Sequence, residues 1–255
     1  MKSRREDYSN NGGAVIASWK SGLTPGGDSY ATSIFGLEIK GEAPFSPDFL
    51  VLNGEGIGKG LPSTELVMYR KGLEVGLKGA EALESANVPY FNRTWEHFCS
   101  HRHMPSEGKT GYPAVTQMGN TICFMHPVFT QYADSAPKWC RDIFLNAVER
   151  LLPDPVLKME NAPSALVAAV NVQPEKKRYV AHFLYYVPER RWSSFDVIED
   201  VVLVFNLKAN LNVPGDLRKI TTVPQGKNIP FRQSGGIKSF TLPELNGHQM
   251  VELSW

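Results

Sequence analysis

Along the first half of the chain, apolar positions come in short, irregular bursts separated by polar and glycine-rich stretches. Arg4 to Asn11 reads as the end of a helix, Gly12-Gly13 stops it, and Ala14 to Trp19 is a short apolar strand. A βαβ unit would need a parallel strand before this one, and the few upstream residues cannot supply it, so the pattern predicts an N-terminally truncated sheet. Ser21 to Gly60 reads as loops interrupted by an apolar segment at Ile34 to Ile39. Leu66 to Tyr69 and Leu73 to Leu77 are strand candidates, and Ala80 to Ala86 is a short helix candidate. Thr121 to Met125 has the continuous apolar pattern of a buried strand. A turn at His126-Pro127 follows, then an amphipathic helix reaching Leu152. Trp139, Ile143, Ala147, Val148 and Leu151 recur at three- and four-residue steps and so share one face. Pro153 and Pro155 end that helix.

After residue 156 the period changes to two. Leu166, Ala168, Val170 and Val172 alternate with polar neighbours, as do Tyr179, Ala181, Phe183, Tyr185 and Val187, and then Val202, Val204 and Leu207. Turn residues at Gln173-Pro174, Pro214-Gly215, Gln225-Gly226 and Ser234-Gly235-Gly236 divide the runs. The predicted fold is therefore α/β over residues 1–153, an incomplete flavodoxin- or amidotransferase-like sheet with helices, followed by an all-β antiparallel sandwich over 156–255.

At 255 residues the chain is long enough for two cores, and 42% hydrophobic with 21% charged residues is ordinary for a folded protein. A formal net charge of +1 and the lack of a basic run among aromatics argue against a nucleic-acid partner. No segment has the length and apolarity of a membrane span. Three cysteines, Cys99, Cys123 and Cys140, at unrelated spacings argue against a disulfide framework and place the protein in a reducing, cytoplasmic compartment.

Chemistry-bearing residues concentrate in Asn92 to His103. Three readings fit this cluster. Cys99, His101 and His103 are chemically suited to zinc, although one-residue gaps depart from the usual structural spacing. Trp95 stacking on a sugar ring, with Arg93, Glu96, His97, His101 and His103 bonding hydroxyls or a neighbouring subunit, is the second reading. The third is a loop braced by its own arginine, glutamate and histidines. His182 and His248, among apolar and turn residues, read as structural histidines, and Glu189, Asp196, Glu199 and Asp200 as a solvated acidic loop rather than a glycosidase carboxylate pair.

Phe124-Met125-His126-Pro127-Val128 resembles the Phe-His-Pro-Glu segment of class I glutamine amidotransferases, where the histidine serves as base and the glutamate orients it. Here Val128 stands in the glutamate's place, and neither Cys99 nor Cys123 lies on a strand-to-helix elbow. The amidotransferase reaction is therefore not expected, and His126 is a relic of that position, expected to start a helix. The chain also resembles the C-terminal part of family 42 β-galactosidases and their relatives. The resemblance lies in Pro89 to Phe98, in His126-Pro127-Val128-Phe129-Thr130-Gln131-Tyr132, in Tyr186-Val187-Pro188-Glu189-Arg190-Arg191 and in Asn246 to Val251. It implies a trimerisation domain followed by a β-domain, a homo-oligomer (a trimer) or a catalytic (β/α)8 barrel as partner, and a carbohydrate ligand. It implies no cofactor, no metal and no catalytic residue in this chain, and it leaves open a stand-alone carbohydrate-binding or scaffolding protein and a metal-dependent enzyme.

Overall fold

The computed structural model describes residues 2–255, and the chain divides into two compact units, Met1–Pro153 and Asp154–Trp255. In the first, helix α1 (Lys2–Asn10) leads through Gly12, with φ +87°, into strand β1 (Val15–Ser18). A 3-10 turn (Ser33–Phe35) precedes β2 (Leu37–Glu42), β3 (Asp48–Val51), β4 (Glu65–Met68), β5 (Leu73–Leu77), β6 (Glu81–Pro89), β7 (Ser106–Met118) and β8 (Thr121–Phe124). Helices α2 (Val128–Ser135) and α3 (Lys138–Leu151) close the unit.

Six strands form one sheet in the order β1-β8-β7-β6-β3-β4, and β2 pairs with β5 in a separate ribbon. Among the described residues of the unit only β1 and β8 run parallel, with Val15 opposite Thr121, and the other pairings are antiparallel. This overturns the expected α/β flavodoxin-like class: the chain is mostly β, in several sheets. The parallel partner of β1 comes from more than a hundred residues downstream rather than from an upstream strand.

The misreading has a physical cause. The apolar run Thr121 to Met125 is buried on both faces, as in a parallel α/β sheet. Here Ile122 and Phe124 pack with Ile143 and Ala147 of α3. Cys123 and Met125 pack the other way, with Leu37, Leu73 and Val75 of the ribbon. One face is thus covered by helix and the other by strands. Two further elements differ from expectation. The segment 80–86, expected as a helix, lies mostly within β6. The single helix expected up to Leu152 is two, because Ala136 takes a left-handed conformation (φ +46°) and Pro137 follows.

The second unit contains β9 (Leu157–Glu160), β10 (Leu166–Gln173), β11 (Arg178–Tyr185), the short strands β12 (Glu189–Arg190) and β13 (Asp196–Val197), and β14 (Val204–Asn212). It ends with β15 (Lys219–Val223), β16 (Phe231–Ser234), β17 (Ile237–Leu245) and β18 (His248–Ser254). Two four-stranded antiparallel sheets, β10-β11-β18-β15 and β16-β17-β14-β9, share one core. Phe183, Val251 and Leu253 come to it from the first sheet, and Leu207, Leu211, Phe240 and Leu242 from the second. Alternation along each strand sends one side chain inward and the next outward, as the period of two requires.

Candidate functional site

The polar cluster lies in the loop 90–105 that joins β6 to β7. The loop is pinned at several points. Asn92 donates its amide to the Pro44 carbonyl at 2.7 Å and accepts from the Ser46 N–H at 3.1 Å. The Arg93 guanidinium donates to the His101 carbonyl at 3.2 Å. His103 is held by the Tyr69 hydroxyl at 3.2 Å and lies edge-on to Phe49 and Tyr69, while Arg102 covers the Tyr69 ring. Buried Met104 anchors the return to β7.

Between these anchors the chain makes a tight turn. The Thr94 N–H donates to the His97 carbonyl at 2.8 Å and the His97 N–H to the Thr94 hydroxyl at 3.0 Å. The turn lifts Trp95, 85% exposed, and Glu96 to its tip. Phe98 and Tyr90 are also exposed, at 67% and 62%, and Phe91 lies edge-on to His97. Three large aromatic faces on one short loop, beside the side chains of Glu96, His97 and His101, are unusual for a surface whose only task is to be solvated. Of the sequence candidates, Trp95, Glu96, His97 and His101 project to solvent, whereas Arg93 and His103 fix the loop.

The zinc reading meets a different geometry. The Cys99 thiol is directed at the carbonyls of His101 and His103, at 3.7 and 3.5 Å, and the His103 ring turns away to Tyr69. Among the described residues no group of three or more His, Cys, Asp or Glu side chains is placed to hold a metal ion.

His126 lies elsewhere, wholly buried and two residues before α2. Its Nε2 is 2.7 Å from Asp48 Oδ1, and the other oxygen of Asp48 accepts a short hydrogen bond from the Tyr112 hydroxyl. The Ser18 hydroxyl donates to the His126 carbonyl at 2.9 Å. The histidine therefore does have a carboxylate partner. It comes from β3, 78 residues away, and no local motif announces it. Cys123 is no nucleophile for it: burial pushes the thiol up to about 12, where no reactive thiolate forms near neutrality, and its neighbour at 3.9 Å is Tyr30. The network closes a junction of β1, β3, β7 and the His-Pro turn.

Three of the four carboxylates of the 189–200 segment are engaged by arginines. Asp196 meets Arg190 at 2.6 Å, while Glu189 and Glu199 both meet Arg191. Three carboxylates share two arginines in this hairpin, which is an ion-paired surface and not a paired acid and base.

In structure the chain is similar to parts of known glycoside hydrolases and resembles family 42 members. Its structural counterparts make the relation specific. α-L-Fucosidase isoenzyme 2 from Paenibacillus thiaminolyticus matches 99% of this chain with a TM-score of 0.91 and 31% identity. The β-galactosidase from Bacillus circulans sp. alkalophilus matches 99% with a TM-score of 0.55 and 15% identity. The GH42 β-galactosidase Gan42B from G. stearothermophilus matches 98% with a TM-score of 0.54 and 14% identity. At these lower identities the β-galactosidases share the fold alone. The chain spans 38% of the fucosidase and 29–30% of the two β-galactosidases. No protein-family model and no curated protein matches it.

Proposed function

We propose that this chain is a non-catalytic accessory and oligomerisation region of a glycoside hydrolase-like protein, acting together with a catalytic (β/α)8 barrel. One observation carries the reading. Nearly the whole chain matches just over a third of an α-L-fucosidase at 31% identity, as a region attached to a larger enzyme would. In this role residues 1–153 form the subunit contacts, as a trimerisation domain, and the loop 90–105 faces a sugar-binding cleft in its own or a neighbouring subunit. Trp95 stacks on a sugar face there, and Glu96, His97 and His101 bond hydroxyl groups, with Arg93 and His103 holding the loop in shape. Three unpaired cysteines support a reducing, cytoplasmic setting.

The exposed aromatics of that loop also favour a second reading, a stand-alone carbohydrate-binding or scaffolding protein. The purified chain is assayed against aryl fucosides and galactosides and, by calorimetry, against the corresponding free oligosaccharides. The accessory reading expects no turnover and no binding by the chain alone. Turnover that follows the purified chain through every fraction would refute it, and sugar binding lost in a Trp95→Ala, His97→Ala variant would replace it with the binding module.

A further inference from the structure

Two histidines on the outer face of the sheet β10-β11-β18-β15 have no part in the function proposed above. His182 of β11 stands opposite Met250 of β18, and His248 stands opposite Leu184. The two imidazoles are therefore diagonal neighbours on one face, a separation that long side chains bridge. His182 Nδ1 lies 3.4 Å from His248 Nε2. The rings are parallel within 9°, with centroids 5.7 Å apart. The centroid separation exceeds the nitrogen separation by about two ring radii. The nitrogens therefore lie between the rings, which meet edge to edge with their nitrogens facing one gap.

Among the described residues neither ring has another hydrogen-bond or ion-pair partner. The acidic residue of β18 on this face, Glu252, is taken by Arg178 at 2.5 Å. Val180, Leu184 and Met250 occupy the same face and offer no competing charge. An imidazole pair so placed can hold a single cation between its nitrogens. Zinc–nitrogen bonds of about 2.0–2.1 Å in a tetrahedral centre put two ligating nitrogens roughly 3.3–3.4 Å apart. The observed 3.4 Å meets that bite.

We propose that His182 and His248 form a two-histidine site for a divalent transition-metal ion of the zinc and copper type, with water completing the coordination. Imidazole is a suitable ligand for both ions, and copper(II) binds a given nitrogen site more tightly than zinc. The hydrogen shared between the rings moves to the outer nitrogen of its own ring. Two neutral rings then present two lone pairs with no net loss of protons, and a turn of roughly 35° by each ring swings its lone pair from the line joining the nitrogens onto the ion. Two protein ligands leave open positions, so the ion is exchangeable and has none of the closed shell of a structural zinc.

The test is a titration of the full chain with Cu2+, read by calorimetry and by electron paramagnetic resonance at one equivalent. One tight equivalent with a two-nitrogen signature is expected. Its affinity should fall roughly tenfold or more in both His182→Gln and His248→Gln, with unchanged circular dichroism, and should persist in a His97→Gln, His101→Gln, His103→Gln variant. Tight binding that survives in His182→Gln and His248→Gln, that disappears with the loop histidines, or that is absent from the wild-type chain overturns the proposal.

Discussion

Trp95 and Glu84 illustrate opposite relations between a side chain and its surroundings. Trp95 stands 85% exposed at a loop tip, where truncation removes no core contact. Trp95→Ala should change thermal stability by less than about 0.5 kcal/mol, and a larger loss in a melting experiment would mean that the ring is part of the fold. Glu84 is a carboxyl largely withdrawn from solvent beside the backbone of Asn53 and Gly58. It is buried, its Oε1 has no hydrogen-bond partner among the described residues, and burial pushes its carboxyl up from 4.5 to about 7. The folded state therefore holds this proton more tightly than the unfolded chain. The stability that goes with it is complete below pH 4.5 and is lost as pH rises through 7. Glu84→Gln keeps the shape and cannot ionise. The variant should match the wild type in acid and gain about 1 kcal/mol above pH 7, a figure discounted because the carboxyl lines a small solvent-reaching pocket with Asn53 and Arg150. Melting curves from pH 4 to 8 that stay parallel would contradict the assignment.

At the scale of elements, the His-Pro turn is where sequence and structure diverge most usefully. Gly72 passes so close to His126 that a Cβ there would meet the imidazole at 2.8 Å. Gly72→Ala should therefore cost about 1–3 kcal/mol in the wild type and far less in a His126→Ala background, where the ring is gone. His126→Ala alone should cost about 3 kcal/mol or more, since it leaves the buried Asp48 carboxylate without its imidazole. An equal cost for Gly72→Ala in both backgrounds, measured by denaturant unfolding, would show that the close approach is not what glycine is needed for. None of this network could be read from the sequence, because Asp48, Tyr112 and His126 lie far apart along the chain and share no periodic signal. What was legible were the elements with a strong local pattern. The period-two runs from Leu166 to Val172 and from Tyr179 to Tyr185 lie in β10 and β11, Val187 falling beyond the strand, and the amphipathic stripe through Ile143 and Ala147 is the buried face of α3. The class of the first unit was not legible, because a strand covered by a helix on one face and by a ribbon on the other carries the same apolar run as a parallel strand between helices. The loop 90–105 was legible as a concentration of chemistry. Which of its residues face solvent and which act as anchors depended on Tyr69 and Pro44, partners from other loops.

For the molecule as a whole the question is what company it keeps. Its second unit exposes Trp192, Phe195, Ile198, Val201, Val202 and Phe205 within a short stretch, while Arg190 and Arg191 offset most of the acidic charge nearby. Apolar surface of this density favours association in water, against only a small residual negative charge on the hairpin. The proposed oligomerisation role of the first unit makes a sharper demand, a defined stoichiometry. Light scattering across a concentration series should give the mass of three chains, constant with dilution until the complex dissociates. A mass that climbs without limit would mean that the apolar segment of the second unit drives open-ended association and that no closed interface exists. A soluble monomer at every concentration would remove the oligomerisation role altogether, and the loop 90–105 would then have to act, if it binds sugar, within a single chain.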